Sequence, residues 1–330
     1  MRRVLAVTLL CCSSVVLGSG PATAPTADEQ AMAAFWARME SSADPRMQAL
    51  AMVAPFEALG GPADLPARID RWEASEPDAD ALVLLAALAC GHDSASRLRA
   101  MCDRRELLAR WKQADPANAY PWLIEAHRAQ QSEDAERLQQ ALSGIGQSSR
   151  IEDGYRLALA TLRDALAADS SFAAMDPGGR AVAAFGIATA IAIPAVRGIT
   201  DLCPPVEKDA AMRAERGEIC RHLGSLLFDT PQTSLLHAQL GGQIARDYAE
   251  ADADRSRRNE DLAALQGLAS ALNADPLLSP ADAGKDGVIT MTPELDEYLQ
   301  WVIAEGEVAA MLGWLKRRET AARTQRDPGI

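Results

Sequence analysis

Aromatic side chains are scarce, at 5% of 330 residues, and runs of Val, Ile, Thr and Tyr in period-two alternation are nearly absent. A half-buried sheet needs that alternation, so a substantial sheet is excluded. Positive charge is also short: 33 Lys plus Arg stand against 46 Asp plus Glu, a formal net charge of −13. A chain of that sign repels phosphate backbones and anionic lipid surfaces, so nucleic-acid partners are not expected. The basic clusters at Arg255, Arg257, Arg258 and at Lys316, Arg317, Arg318 are short and read as solvated helix faces.

Chemical signatures are missing too. No G-x-S-x-G, H-E-x-x-H, Walker loop or dinucleotide glycine fingerprint occurs, and Gly178-Gly179 and Gly241-Gly242 lack the pattern that would follow. The four histidines, His92, His127, His222 and His237, are scattered. There is no C-x-x-C, and Cys203, Cys220, His222 and His237 do not have zinc-site spacing. No catalytic residue, metal ligand or cofactor site is assigned, and the chain reads as non-enzymatic. Apolar runs long enough to span a bilayer are absent as well. Ala181 to Val196 is nearly uncharged but contains Pro194 and is shorter than the ~20 residues a bilayer requires. It reads as a buried helix at the centre of the second half's core, not as a stable membrane span.

What the chain does have is alanine and leucine, within 48% hydrophobic content. Both lose little on entering a helix, so the fold class expected is all-α. The N-terminus carries Arg2 and Arg3, an apolar run from Val4 to Leu17, and small residues at Gly18, Ser19 and Gly20. That is the order of a secretory signal peptide, assigned to residues 1–27 with cleavage between 18 and 27. Leu10 before Cys11 is too large for a lipoprotein site. The expected location is periplasmic or secreted, in a bacterium.

Beyond the signal, four cysteines remain: Cys90, Cys102, Cys203 and Cys220. An even count in an oxidising compartment points to disulfides. Three pairings are open, and the local one, 90–102 with 203–220, is expected. One continuous helix over 204–220 would hold the second pair about 25 Å apart, against the roughly 7 Å a disulfide allows between Cα atoms. Pro204 to Glu207 must therefore fold back as a loop, with a helix starting near Asp209.

Helix signals run along the chain as antiparallel hairpins. Helices are expected over Asp28 to Ser42, Pro45 to Leu59 with a stop at Gly60-Gly61, Leu65 to Ser75, Asp78 to Cys90, Ser94 to Ala114, Ala117 to Gln130 and Ser132 to Leu142. Ser149-Arg150-Ile151-Glu152 reads as a capping box for a helix to Ala168. Asp176-Pro177, Thr230-Pro231 and Thr292-Pro293 each put a cap residue before a proline at the first helical position. Residues 273–292, with Pro276, Pro280, Gly284 and Gly287, form the clearest loop. The last helix carries Leu295, Leu299, Val302, Ile303 and Leu312 on one stripe and gives way to a disordered tail at 323–330.

One internal repeat is visible. Arg71-Trp72 followed by Glu76-Pro77-Asp78-Ala79-Asp80 recurs 39 residues later as Arg110-Trp111 followed by Asp115-Pro116-Ala117-Asn118-Ala119. The phrase Asp115-Pro116-x-Asn118-Ala119-x-Pro121-Trp122-Leu123, with small Ala126 and the polar turn Ser132-Glu133-Asp134-Ala135, resembles a junction between tetratricopeptide repeats. The resemblance covers residues 66–142, and its period of 39 exceeds the family's roughly 34. It implies a solenoid of helical hairpins over 28–145, packed on further helices over 146–322. It also implies a concave peptide-binding face lined by Tyr120, Leu123, His127 and Gln130 in one copy and by Ala81, Leu84 and Leu88 in the other. The alternative is that other helices cover this face. The expected function is an exported binding or scaffold protein for an unknown envelope protein or peptide. A structural assembly component without a groove is the second reading, and an enzyme with an unrecognised site the third.

Overall fold

The structure is a computed structural model and describes residues 27–53, 64–91, 96–192, 196–205, 210–230, 232–275 and 293–326. The expected export signal up to residue 26, the expected stop at Gly60-Gly61, His92, residues 276–292 of the expected loop and the last four residues lie outside them. The described residues form sixteen α-helices and no strand, so the protein is all-α.

The chain divides into two compact units that interleave in sequence. The first takes described residues up to 116 and from 153 to 192. It holds α1 (Ala27–Glu40), α2 (Pro45–Val53), α3 (Leu65–Ala74), α4 (Ala79–Gly91), α5 (Ser96–Arg104), α6 (Leu107–Ala114), α9 (Tyr155–Ala168) and α10 (Pro177–Ala192). The second takes 117–152, 196–275 and 293–326. It holds α7 (Tyr120–Gln131), α8 (Ala135–Gln147), α11 (Val196–Leu202), α12 (Ala210–Asp229), α13 (Leu235–Asp247), α14 (Asp252–Asn273), α15 (Pro293–Glu305) and α16 (Glu307–Arg326).

In the first unit α4 is apolar on every side and is the central helix, as such a pattern requires. Leu84, Leu85, Leu88 and Cys90 are buried, and α2, α5, α6, α9 and α10 all pack on it. The internal repeat takes physical form in this unit: Trp72 and Trp111 are both buried, and the Trp72 indole donates to the Pro45 carbonyl at 2.9 Å. The uncharged segment expected in the second half's core is α10, and it belongs here instead, beside α9 and α4. Its main neighbour is α9, the helix just before it in the chain, with a smaller contact to α4.

The expected single helix over 94–114 is broken. Glu106 adopts φ +50° between α5 and α6. Arg105 and Arg110 both reach the Glu73 carboxylate, at 2.9 and 2.6 Å, and Arg105 also pairs with Asp70. The same left-handed turn recurs at Glu76 (φ +53°) and Glu133 (φ +54°), each just after a helix end. A recurring turn between packed helix pairs is compatible with a helical repeat fold.

In the second unit α12 and α13 pack through glycines. A Cβ at Gly241 would lie 2.4 Å from the Leu227 Cβ and 2.8 Å from the Gly224 carbonyl oxygen. Helix α13 opens at Ser234, whose side chain accepts from the His237 N–H, and not at Thr230-Pro231 as expected. Thr233 turns its hydroxyl back to the Leu227 and Thr230 carbonyls, which ends α12. The expected last helix is two, divided at Gly306 with φ +94°. That break takes Leu312 off the common stripe and leaves it 51% exposed, while α16 continues to Arg326. The buried Asp275 ties α14 to α16, accepting from the Trp314 indole at 3.0 Å and from Arg318 at 3.1 Å.

The predicted capping box at Ser149 is not used. Asn118 does the work there: it is buried, its amide oxygen accepts from the Tyr120 and Glu152 N–H groups, and its amide nitrogen donates to the Glu152 carbonyl. The strand-like segment 149–152 is thereby pinned beside 117–118, and α9 starts only at Tyr155.

Both cysteine pairs are disulfides in the local scheme. Cys90 joins Cys102 with Cα atoms 5.5 Å apart, and Cys203 joins Cys220 at 5.6 Å. Pro204 and Pro205 are non-helical and α12 begins at Ala210, as the distance argument required.

Candidate functional site

The α7–α8 hairpin carries four of the seven residues expected to line a binding face. Pro121 in the first turn suits the start of α7. Trp122 lies flat against α8, where a Cβ on Gly144 would come within 2.2 Å of its ring. Ala126, read as the small residue of a close helix contact, has no exposed surface. The turn is closed by Ser132, whose hydroxyl donates to the Arg128 carbonyl, and by Asp134, which caps α8 by accepting from the Arg137 N–H at 3.0 Å.

The implied groove residues take different places. Tyr120 and Leu123 are each 1% exposed, and the Tyr120 ring meets that of His237 edge-on at 6.4 Å. Helix α11 packs across α7: a Cβ on Gly198 would sit 3.3 Å from the His127 side chain. His127 is half-buried, with Nε2 3.0 Å from the Gln131 amide nitrogen and Nδ1 3.9 Å from the Asp201 carboxylate. Leu84 and Leu88, at 0 and 2% exposure, belong to the first unit's core, as does Ala81. Tyr120, Leu123, Leu84 and Leu88 are therefore interior residues, and α11 and α13 cover the face of α7 in the second unit.

Gln130 differs. It lines an open cleft of about 330 Å³ at the α7–α8 turn, with Ala129, Glu133, Asp134, Ala135, Leu138 and, from α12, Arg216. Glu133 and Asp134 are exposed at the rim, whereas Arg216 is 9% exposed and lies within ion-pair distance of Glu215, at 3.7 Å. The Gln130 Oε1 is buried and has no hydrogen-bond partner among the described residues. A buried amide oxygen without a donor is costly. That oxygen is sealed from the cleft by its neighbours, so the surface of the cleft is set by the two rim carboxylates and a small apolar wall.

Arg216 was not singled out from the sequence. Its one visible signal is its spacing: it lies four residues before Cys220, on the same face of α12 as the Cys203–Cys220 disulfide. Among the described residues no group of three or more His, Cys, Asp or Glu side chains could hold a metal ion, and no helix is long and apolar enough to cross a membrane. Compared with known proteins, the chain matches no family model, no curated protein and no solved structure.

Proposed function

We propose that this is an exported, non-enzymatic interaction protein of the bacterial periplasm, a binding or scaffold component built on tetratricopeptide-like hairpins. The observation that carries this reading is the pair of disulfides in a chain whose described residues form helices and no strand. Disulfides of this kind persist in oxidising compartments. They accord with the charged, apolar, then small order of the N-terminus. Stacked hairpins commonly serve as surfaces for other chains and not as scaffolds for chemistry.

The burial of Tyr120, Leu123, Leu84 and Leu88 favours one form of this reading: an assembly component that meets envelope partners through its outer faces, without a peptide groove. Among the described residues two large apolar side chains are exposed and available for such contacts, Leu236 on α13 and Leu312 on α16.

The test places a photo-crosslinking residue in the exported protein at Leu236, Leu312 or the exposed Gln140 on α8. A discrete adduct from one face, absent from the others, is the expected result. No adduct from any face overturns the interaction reading. The same preparation tests export: the purified protein should lack the N-terminal segment by mass and show no free thiol.

A further inference from the structure

We propose that α11 is a cover for one face of α7 that the Cys203–Cys220 disulfide closes when the exported chain is oxidised. Helix α11 has seven residues, about two turns. A helix that short is not stable by itself in water. Among the described residues its main helical neighbour is α7. There Gly198 leaves room for His127: a Cβ on Gly198 would sit 3.3 Å from the His127 side chain. Ile199 and Leu202 of α11 are fully buried. The His127 side chain is only 12% exposed, and Leu123, one turn earlier on α7, is 1% exposed.

Two links hold the end of α11. The Tyr248 hydroxyl donates to the Pro204 carbonyl at 2.8 Å. The other link is covalent: Cys203, the residue after α11, is bonded to Cys220 inside α12, which itself packs on α8 and α13. A single neutral hydrogen bond is the weaker of the two. In the dithiol form the short helix therefore loses its main fastening, and the His127 face of α7 opens. Closure is the oxidation of two thiols to one disulfide. The two electrons and two protons pass to an exchange-active disulfide, which leaves as a dithiol. Once formed, the bond is shielded, with Cys203 3% and Cys220 0% exposed, so a thiolate reaches it only after α11 lifts. The cover is set once, and the α7 face is open to a partner only in the newly exported chain. Where the oxidant is met rests on the export reading; the cover itself does not. Cys90–Cys102 is the contrast, since it lies in the other unit and fastens α5 to α4.

Hydrogen exchange of the full mature protein tests the cover. In Cys203→Ala/Cys220→Ala, the amides of 198–203 should exchange on the order of a hundredfold faster than in the oxidised wild type, as loss of a cross-link over 17 residues predicts, while α12 and α13 keep their protection. Diethyl pyrocarbonate should then modify His127 and still spare His237, which is 4% exposed. Cys90→Ala/Cys102→Ala should leave 198–203 as in the wild type. Reducing that second variant with a dithiol should reproduce the opening, and reoxidation should restore protection. Unchanged exchange over 198–203, an equal rise across α12 and α13, loss of the whole fold without the 203–220 bond, or no recovery on reoxidation each overturns the proposal. Export is read separately, from the mass of the mature chain, so failure of the cover and failure of the export reading are told apart.

Discussion

At the scale of single residues, glycine and its absence set the sharpest expectations. Gly241 and Gly217 both lie inside helices, and the sequence treats them alike. The structure separates them: a Cβ on Gly241 meets backbone atoms of α12 below 3 Å, while one on Gly217 meets nothing within 4 Å. Gly241→Ala should destabilise by about 1–3 kcal/mol through overpacking. Gly217→Ala should stabilise by roughly 0.5–1 kcal/mol through the unfolded chain. Urea denaturation of the two variants checks both signs. The converse case is Glu106, an exposed residue held at φ +50°. A side chain there costs roughly 1 kcal/mol, so Glu106→Gly should raise the denaturation midpoint, although glycine inside a helix would lower it.

At the scale of elements, caps and disulfides decide where helices begin and stay. Asp44 precedes α2; its carboxylate accepts from the Arg46 N–H at 2.9 Å and pairs with the Arg46 guanidinium at 2.9 Å. Asp169 caps the short turn after α9, accepting from Ser171 N–H and from Arg38 at 2.6 Å. Burial opposes ionisation at both, but the hydrogen bonds outweigh it and hold both acids below the usual carboxylate range. A depressed folded-state pKa gives stability that is complete above the unfolded value, about 4, and is lost as pH falls through the folded one. The melting temperature should therefore be level above about pH 5 and fall below about pH 4. In Asp169→Asn the fall should be shallower, from a lower plateau. The disulfides close separations of 12 and 17 residues. Loops of that size predict similar losses, about 3 kcal/mol each, so the paired variants Cys90→Ala/Cys102→Ala and Cys203→Ala/Cys220→Ala should lower stability by comparable amounts.

At the scale of the whole molecule, charge and interleaving matter most. With 46 acids against 33 bases, the protein should bind an anion exchanger at pH 7 and leave duplex DNA unretarded in a gel at low salt. Among the described residues the two units exchange chain at 116–117, at 152–153 and between 192 and 196. A division of the chain near 145 follows the tetratricopeptide resemblance, whereas the compact units follow packing. The apolar helix α4 joins helices from both sides of that point.

Much was legible from one-dimensional pattern. Helix class, most hairpins, the opening of α10 and α15, and the two disulfides rest on local propensity, caps and the reach of a short chain. All of these act over a few residues. What only the tertiary structure decided depends on partners distant in sequence. Asn118 displaced the Ser149 capping box because its amide could bond residue 152. Tyr120 and Leu123 became interior because α11 and α13 cover α7. Gln130 became a cleft residue because Arg216, on a helix 86 positions later, arrives beside it. Periodicity tells which face of a helix is buried, but burial alone does not name the neighbour, and a site is made by neighbours.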